Sequence, residues 1–451
     1  MRLLPVVLPA VIVASVAWWL TSAASQEPQS DSRSPASSPS ASIPASDAEV
    51  HIARLIRQLG SESYRDRVDA GRELAEIGPE SRKALEAAAN STDAEVRLQA
   101  EGLLKKLKTD DLWLSGHVSC RGRGEPASKV IAALAEQTGN HLLIGLPYGT
   151  FHDKTLDLDY PSGDFWSVLD DICRQTDNHV RTDIEGRQRG LLVVGGTAGR
   201  FPTAYAGPLR AQITEEQRVF SERIQFGEEN RERSHTFELD LSLSWEDRLK
   251  LVAYRVQPEV VEAVTNGRMR LSSLQPGGGR WNVLGNGERQ ITATIKLSPP
   301  PTTAKQLDHL TVKWTLMAVG DPATLVIDDL ASRQPLRQGD VEMAIERFER
   351  HENDRVEMSV LVTRDGSLPD PPEALFQDYT VELFDSEGRA CRLQSQANAL
   401  AAGGAQLRLI FCGDFEQASP KTLRLTYPQI RDQRDLALVF RNVPLPVSRP
   451  E

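Results

Sequence analysis

Cysteine, histidine and methionine are scarce in this chain of 451 residues, which holds 4, 8 and 5 of them. No CxxC pair and no HxxxH helical pair occurs, so the spacings that build structural zinc sites and zinc-hydrolase helices are missing. No GxSxG elbow presents a nucleophilic serine, and no Ser, His and Asp grouping can be defended from the order of residues. Positive charge is also short: 52 Lys and Arg against 63 Asp and Glu leave a formal net charge of -11. A phosphate-binding surface needs a clustered cationic face, so nucleic acid is not an expected partner.

What is present is the composition of a folded multidomain protein. Apolar residues make up 40% and charged residues 25%, an ordinary globular balance. The length exceeds that of one typical domain, so several cores are expected. Arg2 precedes an uncharged apolar run from Leu3 to Leu20, and Ser22, Ala23, Ala24 and Ser25 follow with small side chains where a signal peptidase can cut. Residues 1–25 therefore read as a signal peptide or an N-terminal membrane anchor, the run being about the shortest that spans a bilayer as a helix. Pro5 and Pro9 weaken the anchor, whereas Trp18 and Trp19 suit an interfacial position. Residues 26–46 are rich in Ser and Pro and poor in large apolar side chains, the composition of a disordered linker. The chain is expected to be exported, periplasmic or tethered facing the periplasm, meeting the membrane only through its N-terminal segment.

Residues 47–109 carry apolar residues at helical spacing. Ile52, Leu55, Ile56 and Leu59 form one stripe, with Gly60 as a stop. A second helix closes with Leu74 and Ile77 before Gly78, a third opens at Pro79, and Thr92 with Glu95 forms the capping box of a fourth. The fourth stripe is Val96, Ala100, Leu103, Leu104 and Leu107. Asp93-Ala94-Glu95-Val96-Arg97 with Ala100 resembles the second-helix signature of HEAT repeats, and Arg67, Ala70, Leu74 and Ile77 look like a preceding repeat. Only about two units are present, where solenoids usually stack at least about three. The resemblance implies a protein-docking surface; the plainer reading is a capped helical cluster with solvated charged faces.

Residues 110–197 alternate as strand, helix, two strands, helix, two strands, the βαββαββ order of a small α+β domain. The first helix carries Val130, Ile131 and Leu134 and ends at Gly139; the second carries Phe165, Val168, Leu169 and Ile172. Leu134-Ala135-Glu136-Gln137-Thr138-Gly139, Thr155-Leu156-Asp157-Leu158-Asp159 and Phe165-Trp166-Ser167-Val168-Leu169 resemble the short N-terminal domain of secretins and TonB-dependent receptors. That resemblance implies periplasmic protein contact. The outer-membrane pore that accompanies the domain in that family is missing, because no series of amphipathic barrel strands follows.

The remaining half reads as strands. Phe237, Leu239, Leu241 and Leu243 alternate with polar residues, as do Ile291, Ala293, Ile295 and Leu297, and Leu310, Val312, Trp314 and Leu316. A second set holds Val356, Met358 and Val360, Leu407, Leu409 and Phe411, Leu423, Leu425 and Tyr427, and Leu436, Leu438 and Phe440. The turn-forming stretch from Ala331 to Asp340 places a boundary near residue 335, giving a β-rich domain at 198–335 and a β-sandwich at 336–447. The fold class is thus multidomain α+β: a short α-helical repeat, a small βαββαββ domain and two mainly antiparallel, immunoglobulin-like sandwiches.

Four cysteines in an exported chain suggest disulfides, Cys391 with Cys412 across a turn, and Cys120 with Cys173. His117, His141, His152 and His179 share a domain with the latter pair, but their spacing matches no metal motif, and no catalytic residue, metal or cofactor is expected. Gly277 to Gly279, Gly285 and Gly287 lack the Lys-Ser or Lys-Thr ending of a phosphate loop and read as a hairpin, in which Trp281 is a candidate exposed contact. The adjacent acids Asp170 and Asp171, and Asp328 and Asp329, read as solvated faces. The expected function is a non-enzymatic scaffold or adaptor that meets a protein partner in the bacterial envelope. A polysaccharide- or small-ligand-binding module is the alternative, and an enzyme with an unrecognised site comes third.

Overall fold

A computed structural model describes residues 47–145, 154–182, 190–195, 201–224, 231–285, 288–339, 341–351, 354–364, 379–401, 404–413, 415, 418–428 and 431–445. The expected leader and linker at 1–46, together with His152 and Gly287, lie outside them. The chain divides into a unit of residues 1–50, of which the opening of the first helix is described, and a unit of residues 51–451 that holds everything else.

Among the described residues the helical segment comprises α1 (Asp47–Gln58), α2 (Tyr64–Ile77), α3 (Arg82–Ala88) and α4 (Ala94–Asp111). Ser63 caps α2 by accepting from the Asp66 N–H. The cap of α4 is Asp93, which accepts from the N–H groups of Glu95 and Val96, and not Thr92 as the spacing suggested. A carboxylate is the better acceptor at a helix start, because the unpaired amides and the helix dipole both favour negative charge there. Ile52, Leu55, Leu59, Ala70, Leu74, Leu85, Val96, Ala100 and Leu107 form one buried cluster; all but Leu85 are expected from the sequence, and the expected Ile56, Ile77, Leu103 and Leu104 pack against it half-buried.

The next segment follows the expected order: β1 (His117–Pro126), α5 (Ala127–Thr138), β2 (Leu142–Ile144), β3 (Thr155–Asp164), α6 (Phe165–Thr176), β4 (Asn178–Arg181) and β5 (Leu191–Gly195). β1 and β3 make an antiparallel pair, and β2-β5-β4 make a second sheet in which β2 runs parallel to β5. The apolar faces of both helices, Val130, Ile131 and Leu134 with Phe165, Val168, Leu169 and Ile172, meet strand residues in a single core.

The rest is strand. β6 (Thr203–Ala206), β7 (Leu209–Ile224), β8 (Arg231–Trp245), β9 (Lys250–Gln257), β10 (Glu259–Thr265), β11 (Gly278–Val283), β12 (Gln290–Leu297) and β13 (Gln306–Val319) build two sheets. One runs β12-β8-β7-β6 and the other β10-β13-β9-β11. Their inner faces share a core of Phe237, Leu239, Leu241 and Leu243 against Leu310, Val312, Trp314 and Leu316. Two further sheets follow: β14-β21-β18, from β14 (Pro322–Ile327), β18 (Thr380–Asp385) and β21 (Pro420–Pro428), and β15-β16-β17-β20-β19. The latter comprises β15 (Leu336–Gln338), β16 (Val341–His351), β17 (Arg355–Arg364), β19 (Arg392–Ala401) and β20 (Gly404–Cys412). Leu325, Leu383, Leu423 and Leu425 face Val356, Met358, Val360, Leu407 and Phe411 in their common core. The molecule is therefore mostly β, an α+β protein of several antiparallel sheets with few helices.

The expected boundaries of the two β domains need correction. The last strand, β22 (Arg431–Pro444), pairs with β13 from Gln306↔Pro444 to Val319↔Arg431, and Leu438, Phe440 and Val443 are buried in the first core. Conversely, β14 precedes the turn near residue 335 yet pairs with β21 of the second core. The second sandwich is thus an insertion between two strands of the first. Alternation alone cannot reveal this, because it shows that Leu436, Leu438 and Phe440 face a core but not which one. A chain truncated after residue 430 is expected to lose the cooperative unfolding of the first sandwich, and Phe440→Ala to cost about 3–5 kcal/mol of stability, both read from urea unfolding followed by tryptophan fluorescence.

Candidate functional site

The α+β module meets the first sandwich through buried polar groups. β8 ends at Trp245, and the turn that follows carries Glu246, fully buried. Both Glu246 carboxylate oxygens accept from the Gly116 N–H at 3.0 Å, Oε1 from the Ser115 hydroxyl at 3.0 Å and Oε2 from the Asn140 amide at 3.4 Å. Asn140 Oδ1 in turn accepts from the Asp247 N–H at 2.7 Å, and Asp247 accepts from the His141 N–H at 2.5 Å while facing Arg289 at 3.3 Å. Three donors, Ser115, Gly116 and Asn140, thus make four hydrogen bonds to a carboxylate that has no cationic partner at hydrogen-bond distance among the described residues. Burial nevertheless raises the Glu246 pKa above its ordinary value, the hydrogen bonds from Gly116 and Ser115 opposing the shift. A Cβ at residue 116 would stand 2.7 Å from Glu246 Oε2 and 3.1 Å from the Thr138 methyl, so this approach requires glycine.

A second contact set lies between α6 and the β6–β7 turn. Arg210, almost fully buried within a strand, makes two bonds to Asp170 at 2.8 and 2.7 Å. Asp170 also accepts from the Tyr205 hydroxyl at 2.7 Å, and the Arg210 guanidinium lies 5.4 Å from the centre of the Trp166 ring. Burial and the Asp170 charge push the Tyr205 phenol well above its ordinary range. The Trp166 indole N–H donates to the Pro208 carbonyl at 2.9 Å, and the Glu246 N–H donates to the same oxygen at 3.0 Å. Gly207 makes that turn possible: its φ is +55°, and a Cβ there would lie 2.1 Å from the Trp113 carbonyl oxygen.

The helices are fixed to the same body. Trp113, just past α4, is buried in the first sandwich core and donates its indole N–H to Asp432 at 2.8 Å. Arg434 pairs with Asp432 and with Asp110, and Arg248 donates to the Asp111 carbonyl at 2.8 Å.

Several expected positions change meaning in this setting. Asp170 and Asp171 are not solvated acids: Asp170 holds Arg210, and Asp171 accepts from the Tyr160 hydroxyl at 2.7 Å. Trp281 is not an exposed contact. It is 9% exposed and covers Val252, Ala253, Met317 and Val319 on the outer face of β9 and β13, with the Arg255 guanidinium 4.5 Å from its ring centre. The glycine-rich run does not form a hairpin among the described residues: β11, which begins in it, pairs with β9 and not with β10 or β12, its neighbours in sequence.

All four cysteines are free thiols. Cys412 pairs in register with Arg392, one residue beyond Cys391. The offset sends the side chains to opposite faces of the sheet: Cys391 packs on the second core near Gly413, and Cys412 donates to the Gln394 side chain at 3.3 Å. Cys173 is buried in the module core with its pKa pushed up to about 12, first by burial and then by Asp170, while Cys120 sits half-buried opposite Tyr160 on β1. His117 lies on β1, His179 on β4 and His141 in the connection between α5 and β2, and among the described residues no group of three or more His, Cys, Asp or Glu is arranged to hold a metal.

An open groove of about 470 Å³ occupies the outer face of the five-stranded sheet of the second sandwich. Its floor pairs charges both across strands and along one strand. Glu357 accepts from Arg408 at 2.6 and 2.8 Å, and Arg347 makes two 2.8 Å bonds to Glu349. Glu346 accepts from Gln406 at 2.7 Å and from Ser359 at 3.2 Å. The Arg408 guanidinium holds the Glu357 carboxyl below its ordinary value. Such a floor can exchange its internal hydrogen bonds for those of a polar ligand at little net cost. Ala397 and Ala399 of β19 form its wall. The pattern is invisible in sequence, since its members come from four strands.

Comparison with family models, with curated proteins and with solved structures finds no match to this chain.

Two outcomes follow for the junction. Because the folded-state pKa of Glu246 is raised, the native state binds the extra proton, and this group's contribution to stability falls as pH rises from its ordinary value through its folded value. The difference in unfolding free energy between wild type and Glu246→Gln is expected to shift with pH in that direction over that window, measured by urea titrations at several pH values. Gly116→Ala is expected to cost about 1–3 kcal/mol through overpacking, measured in the same way.

Proposed function

We propose that this chain is an exported, non-enzymatic scaffold of the bacterial envelope, whose HEAT-like helices and secretin-type short domain meet a protein partner while two immunoglobulin-like sandwiches carry them. The observation that supports the reading is the buried junction. Domains strung on a linker move independently by default, whereas here Glu246, Arg210 and Trp113 tie the helices and the module to one β body. A fixed mount preserves the relative positions of recognition surfaces, so their binding avoids the cost of ordering loose domains. The helices carry exposed apolar side chains that suit a partner surface: Tyr64 and Val68 one turn apart on α2, and Leu98 on α4. In this reading the leader directs export and the Ser/Pro segment spaces the body from the membrane or the processed end.

The polar groove on the second sandwich favours one other reading, a binding module for a polysaccharide or small polar ligand. In-cell photocrosslinking separates the two. With a photoreactive residue at position 64, 68 or 98, the scaffold reading expects one recurrent envelope protein in the adduct, absent when the probe is moved to the exposed Arg270 position on the first sandwich. Adducts that do not differ between these positions contradict it, and a melting shift with a defined oligosaccharide abolished by Arg408→Ala would support the ligand reading instead.

A further inference from the structure

The five-stranded sheet of the second sandwich ends in a strand that nothing described covers. β19 pairs with β20 from Arg392↔Cys412 to Ala401↔Gly404, and among the described residues no strand pairs with its other side. Every side chain from Arg392 to Ala399 is exposed, although alternate residues point to opposite faces. The cause is the mismatch between the two sheets: three strands face five, so the outermost strand overhangs the core.

Long edge strands are normally protected by charge, proline or shortness. β22, at the edge of the first sandwich, carries Arg431, Asp432, Arg434, Asp435 and Arg441 along its length. β15, at the far edge of the five-stranded sheet, is 3 residues long. β19 has neither device: from Leu393 to Ala401 it has no charge and no proline.

We propose that β19 pairs, antiparallel and about a twofold axis centred on Ala397, with β19 of a second copy. The sequence of the strand is self-complementary in that register. Ala397 faces Ala397 of the copy, Ser395 faces Ala399, and Gln396 faces Asn398, so small side chains meet on the groove side and carboxamides on the other. Gln396 already donates to Asn398 along its own strand at 3.0 Å, and the axis places the same donor and acceptor across the interface. The one charge, Arg392, falls at the end of the ladder, away from its counterpart, so no like charges oppose. The pairing joins two five-stranded sheets edge to edge and sets the two polar grooves side by side, a closed isologous arrangement. It stands independently of the scaffold reading.

Sedimentation velocity on the full chain, purified in mild detergent, reads the association. Wild type is expected to sediment as a dimer at micromolar concentration. Ala397→Lys, which opposes two charges at the axis, is expected to raise the dissociation constant about tenfold or more, and to melt like wild type at dilutions where both are monomeric, because residue 397 is exposed. Under mild oxidation Ala397→Cys is expected to form a dimer disulfide, since directly opposed Cα atoms lie about 4.5–5.5 Å apart. Ala399→Cys is expected not to, its counterpart standing roughly 13 Å away. A monomeric wild type overturns the proposal, as does a dimer indifferent to Ala397→Lys or one that crosslinks equally well through position 399.

Discussion

A buried carboxylate without a direct cationic partner can persist only where enough donors reach it. Glu246 meets that condition because one loop of the module and one loop of the sandwich supply complementary halves: Ser115, Gly116 and Asn140 offer donors, and the turn after β8 offers the acceptor. Neither half is satisfied alone. Separation would return a charged group and several amides to water, but it would also break the interlocking contacts of Asp247 with Asn140 and His141 and the Pro208 carbonyl shared by Trp166 and Glu246. The orientation of the module follows from these directional bonds, which tolerate far less displacement than an apolar contact.

The rest of the architecture serves the same constraint at longer range. β22 returns across the whole length of the second sandwich to complete the first, and it brings Asp432 and Arg434 to Trp113 and Asp110 at the end of α4. Closure of the first core and attachment of the helices therefore depend on one late strand. Such non-local closure implies slow folding, because contacts between residues far apart in sequence must form before the core is complete.

Much of the local structure was legible in the amino-acid order. Helical stripes such as Ile52, Leu55 and Leu59, the βαββαββ order and the alternating strands all rest on periodicity, a property of neighbouring residues. What escaped was set by partners distant in sequence. Arg210 looks misplaced between Leu209 and Ala211 until Asp170 is brought beside it, and Trp281 in a glycine-rich run looks exposed until Met317 and Val319 rise beneath it. The Cys391 and Cys412 pair failed on a single residue of register, which flips a side chain across the sheet. The polar groove and the unprotected edge of β19 were likewise unreadable, since position in a sheet is a property of topology.

The module and the first sandwich form one body through a buried, hydrogen-bonded junction, and hydrogen exchange at the Gly116 amide tests this most directly. This N–H points at both Glu246 oxygens and lies outside any strand or helix of its own. If the junction is closed in solution, its exchange is as slow as that of the β8 amides that pair with β7 and β12. Exchange at the rate of an open loop would show that the module swings free of the sandwich, and would contradict the account.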